Sequence, residues 1–214
     1  MDMEKDFNCL LCTAEVSYYY QHQTYHYYRC NNCKSVMMDP KDRLSLDKEK
    51  ARYDQHNNNV YDPGYRKFVK PLVEEILRNY QVNSKGLDYG SGPGPVAAVM
   101  LKEKGLSVNL YDPFYNPDTG VLKNKYDYII CSEVIEHFFC PAREFDTLKA
   151  LLDKGGSLFC MTELLRDNLD FANWHYKNDP THVFFYHPEA LEWIKKKIGF
   201  SHLLVQDRLI HFFI

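Results

Sequence analysis

Two groups of residues in this chain have the types and spacing to do chemistry. The first is a quartet of cysteines. Four of the seven lie in the first 33 residues, as Cys9-x-x-Cys12 and Cys30-x-x-Cys33, with 17 residues between the pairs. A Cys-x-x-Cys step sets two thiolates on one tight turn. Two such turns about 15–20 residues apart can complete a tetrahedron around Zn²⁺. Four thiolates close the coordination shell, so the spacing predicts a structural metal held by Cys9, Cys12, Cys30 and Cys33 rather than a catalytic one. The other reading of the same spacing is redox-active or free thiols. Cys131, Cys140 and Cys160 are scattered and read as core or loop thiols.

The second group is a glycine loop with an acid downstream. Asp88-Tyr89-Gly90-Ser-Gly92-Pro-Gly94 follows a short apolar run and precedes a helical one. Glycines there let a ligand approach the backbone, and a helix N-terminus offers unpaired N–H groups. A dinucleotide fingerprint wants glycine at the first, third and sixth positions. Here the sixth is Pro95, which argues against a pyrophosphate cradle and for a smaller ligand. Asp112, 22 residues after Gly90, ends the next apolar run. An acid there can accept hydrogen bonds from both hydroxyls of a ribose. Together the loop and the acid predict a cofactor that carries adenosine.

The elements that must position these groups read off the pattern. Val16 to Tyr28, rich in tyrosine, predicts two short strands that bring the cysteine turns together over residues 1–40, a zinc ribbon. A module of that size has too little core to fold alone, and the metal would supply the missing stability. Residues 41–62 are polar and read as a linker or lid, with a short helix from Ser45 to Tyr53. From residue 63 helix and strand alternate. Tyr65, Phe68, Leu72, Ile76 and Tyr80 keep helical spacing, with Pro71 either starting that helix or kinking it. Strands follow at Gly86–Tyr89, Leu106–Tyr111, Tyr126–Cys131 and Ser157–Thr162. Helices are predicted at Val96–Lys104, around Phe145–Leu152 and ending near Gly155-Gly156, and at Pro188–Lys197. Two apolar runs separated near Asp207-Arg208 close the chain. Such alternation predicts an α/β fold, a mostly parallel sheet with helices on both faces.

Composition excludes several function classes. The 214 residues are 45% hydrophobic and 26% charged, with a net charge of −3. That is an ordinary globular balance. No long block of like charge marks a duplex-DNA binder, and no run approaches the ~20 apolar residues of a membrane span. The N-terminus is acidic and lacks the apolar core of a signal peptide, so a cytoplasmic protein is expected.

On these residues the stretch 63–214 resembles the class I S-adenosylmethionine-dependent methyltransferases. The resemblance rests on Leu87-Asp-Tyr-Gly-Ser-Gly-Pro-Gly94, Tyr111-Asp-Pro-Phe114, Tyr126-Asp-Tyr-Ile-Ile-Cys-Ser-Glu-Val-Ile-Glu-His137 and the pair Gly155-Gly156. More closely, the chain resembles a bacterial group with an N-terminal four-cysteine ribbon, through Arg52–Asn57 and the stretch from Phe171 to Tyr186. The resemblance implies a Rossmann-like sheet whose last strand is antiparallel, and these roles. Asp88, Tyr89, Gly90, Gly92 and Gly94 lie under the methionine part of S-adenosylmethionine. Asp112 holds the ribose, Pro113 and Phe114 flank the adenine, and Ser132 and Glu133 line the methionine end. The short stretch between Phe114 and Tyr126 departs from the family, and the third strand is expected to be reduced or absent.

Methyl transfer from a sulfonium is an in-line displacement that depends on proximity, alignment and exclusion of water. An alcohol or carbon acceptor often also needs a base. His182, in the turn after Asp179-Pro180-Thr181, and Tyr176 are the candidate catalytic residues, with His175 and Glu163 behind them. His182 reads more readily as a structural hydrogen-bonding histidine than as a base. His137 reads as structural or cofactor-side. His56 and Tyr53 are candidates for a lid over the cofactor. Trp174 and the ribbon tyrosines read as packing residues. The acceptor is expected to be a small molecule rather than nucleic acid or membrane, with the ribbon as a candidate surface for a protein partner. The competing readings are a zinc-ribbon interaction module on a cofactor-binding domain without catalysis, and a nicotinamide oxidoreductase, which Pro95 disfavours.

Overall fold

The structure is a computed structural model that describes residues 7–55 and 59–214. His56 and Asn57, invoked above for a lid and a signature segment, lie outside the described residues. In chain order the elements are β1 (Val16–His22), β2 (Tyr25–Cys30), β3 (Val36–Met38), α1 (Leu46–Tyr53), α2 (Pro63–Asn79), β4 (Lys85–Tyr89), α3 (Val96–Glu103), β5 (Ser107–Tyr111), β6 (Tyr126–Ser132), α4 (Pro141–Leu151), β7 (Leu152–Met161), β8 (Phe184–Phe185), α5 (Pro188–Ile194), β9 (His202–Gln206) and β10 (Leu209–Phe213).

Six strands form the central sheet in the order β5-β4-β6-β7-β10-β9. β5, β4, β6 and β7 are mutually parallel, and β10 runs antiparallel to β7 and to β9. No strand forms between β5 and β6, so the third strand is absent, as the short spacing predicts. Alternating residues of the inner strands serve opposite faces. Tyr128, Ile130, Phe159 and Met161 pack under α2 and α3. Ile129, Cys131, Leu158 and Cys160 pack under α4 and α5. Strands covered on both faces read as continuous apolar runs, which is why they were visible in the sequence.

Local chemistry sets the helix ends. The Asp62 side chain accepts from the Tyr65 N–H at 2.7 Å and Pro63 begins α2, an ordinary N-cap and first turn. Pro71 sits inside α2 rather than at its start. Helix α4 ends at Leu151 and β7 begins at once, so the helix is shorter than expected and Gly155-Gly156 belongs to the strand. There the β6–β7 register shifts between Tyr126 and Tyr128, and Gly155 takes φ +78°, the conformation of a glycine bulge.

The N-terminal segment is more than two strands. β1, β2 and β3 form an antiparallel sheet, and its fourth strand is β8, drawn from 150 residues away. Tyr27, Val36 and Met38 share an aromatic core with Phe171, Trp174, Tyr176 and Phe185. Among the described residues no helix is long and apolar enough to cross a membrane.

Candidate functional site

The chain leaves β4 to build β5 on one side and returns to build β6 on the other. Ligands bind in open α/β sheets at such a reversal, beyond the carboxyl ends of the strands. A cleft of about 780 Å³ opens there. Asp88, Tyr89, Gly90, Gly92, Gly94, Asp112, Pro113, Phe114, Ser132 and Glu133 all line it.

The loop after β4 is shaped by its glycines. Gly90 takes φ +80°, and a Cβ there would stand 2.6 Å from a Val134 methyl. Gly92 takes φ +58°, and a Cβ there would meet nothing within 4 Å. The first glycine is needed for packing and the second for backbone shape beside open space. The Gly90 N–H donates to the Tyr111 carbonyl at 2.8 Å, and Gly92 N–H to Asp112 Oδ2 at 2.9 Å. Asp112 Oδ1 also accepts from the N–H groups of Phe114 and Tyr115, at 2.8 and 3.0 Å. A carboxylate offers four acceptor positions, so three are used to aim Asp112 and one is left, on Oδ2. Helix α3 starts at this loop without a side-chain cap, which leaves a first turn suited to an anionic group. Asp88 lies beneath the loop. Burial, and then the negative charge of Asp112, push its carboxyl up to about 7.

Behind the far wall is a polar network. Glu133, at φ +53°, holds a backbone conformation that costs about 1 kcal/mol for a residue other than glycine. Arg208 donates to both Glu133 oxygens at 3.3 and 3.2 Å and also pairs with Glu163. The Tyr176 hydroxyl donates to Glu136 Oε1, lies 3.1 Å from Glu133 Oε2 and 3.0 Å from Thr162 Oγ1. Trp174 Nε1–H donates to Glu163 at 2.7 Å. Burial raises Glu133 to about 8, with the charge of Glu136 adding and Arg208 opposing. Burial likewise raises Glu136 to about 7. The Tyr176 hydroxyl is held well above its ordinary value by burial and the neighbouring carboxyls. Tyr176 is therefore a neutral donor behind the wall, and it is not among the cleft-lining residues. His175 is exposed, 3.5 Å from Glu163.

His182 does line the cleft, and so does His137. Their rings meet edge-on at 4.8 Å. His137 Nδ1 lies 2.9 Å from the Thr181 carbonyl, and His182 Nδ1 lies 2.7 Å from the Tyr176 carbonyl. A carbonyl only accepts, so both Nδ1 atoms carry a hydrogen, and in the neutral form of each ring the lone pair is on Nε2. The backbone at Val183 joins the N-terminal sheet to the turn after β6. Its N–H donates to the Glu136 carbonyl at 2.9 Å, and its carbonyl accepts from the Met38 N–H at 2.9 Å. The N-terminal sheet thus fixes where His182 stands.

Helix α1 roofs the cleft. Glu49 and Tyr53 face into it, joined by a 2.8 Å hydrogen bond from the Tyr53 hydroxyl. Arg52 pairs with Asp179 at 2.8 Å on one side, and the Tyr115 hydroxyl donates to Asp54 at 2.6 Å on the other. Glu49, Arg208, Tyr65 and Phe68 were not assigned to the site from sequence. No local motif marks them, because each reaches the site from an element remote in the chain.

The four N-terminal cysteines converge. Their sulfurs lie within 4.8 Å of one another, with Cys9–Cys33 at 3.7 Å and Cys12–Cys30 at 3.3 Å. Zn–S bonds of about 2.3 Å at tetrahedral angles need sulfurs about 3.8 Å apart. N–H groups of Cys12, Asn32 and Cys33 point at Cys9 or Cys30 sulfur at 3.3–3.5 Å, which suits thiolates. The donor set fits zinc, and no cysteine is in a disulfide.

Comparison with known proteins agrees with this geometry. A family model described as a methyltransferase domain matches residues 30–205. The ubiquinone biosynthesis O-methyltransferase of Actinobacillus pleuropneumoniae serotype 7 (strain AP76) is 30% identical over 95 residues, 42% of this chain and 41% of that protein. That of Histophilus somni (strain 2336) is 28% identical over 95 residues, covering 42% and 40%. The chain thus spans about two fifths of the curated relatives it matches. Among solved structures, the phosphoethanolamine N-methyltransferase 2 of Haemonchus contortus in complex with S-adenosyl-L-methionine aligns over 80% of this chain and 48% of that one, at 18% identity and TM-score 0.56. A SAM-dependent methyltransferase from Archaeoglobus fulgidus aligns over 65% and 71%, at 21% identity and TM-score 0.52. At these identities the structural likeness speaks for the fold. Since the family model covers most of the chain, and the parallel strands β4 to β7, the glycine loop and the cleft lie within it, this chain belongs to the methyltransferase-domain family.

Proposed function

We propose that this chain is an S-adenosylmethionine-dependent methyltransferase acting on an oxygen of a small acceptor. The observation that carries the reading is the cleft at the β4/β6 reversal, with Gly92 open to it and Asp112 aimed by three backbone N–H groups. Bound there, S-adenosylmethionine supplies an electrophilic methyl group on a sulfonium. Asp112 accepts from the ribose, Phe114 and Pro113 flank the adenine, and the Gly90–Gly94 loop with Asp88 underlies the methionine part. Ser132 and Glu133 close its far end. Roofing by α1 excludes water, which favours displacement over hydrolysis. The name O-methyltransferase of the curated relatives supports oxygen as the acceptor atom. His182 is the candidate general base, its tautomer set by the Tyr176 carbonyl, and Tyr176 acts through the carboxyls behind it.

In this reading Cys9, Cys12, Cys30 and Cys33 hold structural Zn²⁺ in a ribbon over residues 1–40, residues 41–62 form the lid, and residues 63–214 carry the transferase. The ribbon holds His182 through β8, and its cysteine spacing resembles that of a bacterial four-cysteine group. Thiolates kept for a metal suit a reducing compartment, so the protein acts in the cytoplasm. The test is calorimetry with S-adenosylhomocysteine and with NAD, followed by release of S-adenosylhomocysteine in the presence of phenolic and other hydroxyl acceptors. Binding of S-adenosylhomocysteine and turnover with a hydroxyl compound are expected. Binding of NAD alone refutes the cofactor. Tight S-adenosylhomocysteine binding without turnover on any acceptor favours a non-catalytic module.

A further inference from the structure

We propose that Glu136, His137 and His182 form a second metal site, one that takes a divalent transition-metal cation at the acceptor side of the cleft. One ligand atom from each of the three lies within 4.8 Å of the others. The two histidines come from different segments, the turn after β6 and the turn before β8, yet both rings line the cleft and touch edge-on. Each gives its Nδ1–H to a backbone carbonyl, at 2.9 and 2.7 Å. That is the support that metal-ligating histidines ordinarily have, because it fixes the tautomer and makes Nε2 the donor.

The third member carries an independent sign of a missing partner. The Glu136 side chain is 0% exposed. Its Oε1 accepts from Tyr176, while Oε2 is buried with no hydrogen-bond partner among the described residues. A buried carboxylate oxygen left unpaired has given up its water without replacement, and a cation held with the two imidazoles would supply the missing partner. The set also resists simple collapse. The Glu136 backbone carbonyl is tied to Val183, and Val183 to Met38 of the N-terminal sheet, so the segments carrying His137 and His182 are pinned together before any metal arrives.

Two histidines and one carboxylate are the ligands of open, catalytic metal sites, in contrast to a closed four-thiolate shell. Glu136 binds from the buried side and the histidines from the wall, so the remaining coordination positions face the cleft. The role of this cation rests on the methyltransferase reading above. It would lower the pKa of an acceptor hydroxyl. With its Nε2 on the cation, His182 no longer serves as the base, and the hydroxyl proton passes to solvent. As the oxygen lone pair forms the new C–O bond, the methyl C–S bond breaks in the same step with its electron pair going to sulfur, which leaves S-adenosylhomocysteine and one released proton. The substrate class this favours is a phenol or an alcohol with a second oxygen close enough to chelate.

The test reads metal binding directly and needs no turnover. Full-length protein is prepared in zinc-containing buffer so that the thiolates are occupied, cleared of free zinc, and titrated with Co²⁺ alone. Any Co²⁺ that enters the four-cysteine cluster declares itself by intense thiolate charge-transfer absorption, whereas the proposed site has only nitrogen and oxygen donors. The expected result is a single equivalent of Co²⁺ with weak ligand-field bands and no thiolate band. Glu136→Gln and His182→Gln should each weaken it about tenfold or more. Glu136→Gln, at a residue that does not line the cleft, should keep the thermal shift given by S-adenosylhomocysteine, which reports a folded cleft. Absence of Co²⁺ binding outside the thiolates, or equal binding by the wild type and both variants, overturns the proposal. Either result leaves the methyltransferase reading untouched, since that stands on cofactor binding and turnover.

Discussion

Replacing Asp88 with asparagine should stabilise the ligand-free protein above neutral pH while weakening its hold on S-adenosylmethionine. The carboxyl is buried and faces the charge of Asp112, which lifts it from 3.8 to about 7. Below pH 3.8 the folded and unfolded chains both carry the proton and nothing is lost. Between 3.8 and 7 the unfolded chain ionises first, so folding stability falls as pH rises, and above 7 the loss is complete. At ~1.4 kcal/mol per pH unit, a shift of roughly three units sets a ceiling of about 4 kcal/mol. Asparagine has the same shape, keeps an acceptor for the Ala98 N–H and never ionises. With partial relief of about 2–4 kcal/mol, and about 2–4 °C per kcal/mol for a chain of this size, the melting midpoint should rise by about 4–16 °C at pH 8. It should be unchanged at pH 4. The assay is thermal unfolding of both proteins across that range at matched metal content, with S-adenosylhomocysteine calorimetry alongside. A variant no more stable than wild type at pH 8, or one equally stabilised at pH 4, refutes the reasoning.

Three further outcomes follow from particular contacts. Gly90→Ala places a Cβ 2.6 Å from Val134 at φ +80° and should cost about 2–4 kcal/mol in unfolding free energy. A second change, Val134→Ala, should recover the clash but not the backbone strain, so only part of the loss returns in denaturant titrations. His211 is buried and stacked between Phe159 and Phe213, and burial lowers it from 6.5 to about 4. The folded chain stays neutral there while the unfolded chain gains a proton, so stability present above pH 6.5 is lost as pH falls toward 4. That amounts to roughly 2–3 kcal/mol. His211→Phe should flatten this limb in acid unfolding curves, and an unchanged limb would assign it to other groups. On the zinc proposal, removing the metal from the cysteine quartet should raise amide exchange at Met38 and Val183 together, because the Val183 carbonyl accepts the Met38 N–H and loosening it frees the Val183 N–H from the Glu136 carbonyl. Faster exchange at Met38 with Val183 still protected would show that the ribbon does not place His182.

Legibility followed the range of the forces involved. The four cysteines, the Gly90–Gly94 loop and Asp112 stood out because two-residue spacing and a strand-to-helix turn are local. The central strands stood out because burial on both faces leaves an apolar run. Where local signals competed, the reading slipped. Gly155-Gly156 resembled a helix stop, but it serves a bulge that lets β7 rejoin β6 after a register shift. β8 is only two residues long, too short for any periodicity, and its pairing with β3 depends on an aromatic core assembled from both ends of the chain.

The candidate site divides in the same way. By itself the amino-acid order pointed to the cysteine quartet, the glycine loop and Asp112, since each is a short pattern whose chemistry is carried by its own residues. Only the tertiary structure decided which carboxyls lose their water, that Arg208 closes on Glu133 and Glu163, and that His137 and His182 meet beside Glu136. Those are encounters between segments tens of residues apart. Desolvation and charge proximity, which set the protonation of Asp88 and the unpaired oxygen of Glu136, exist only once the chain has closed around them.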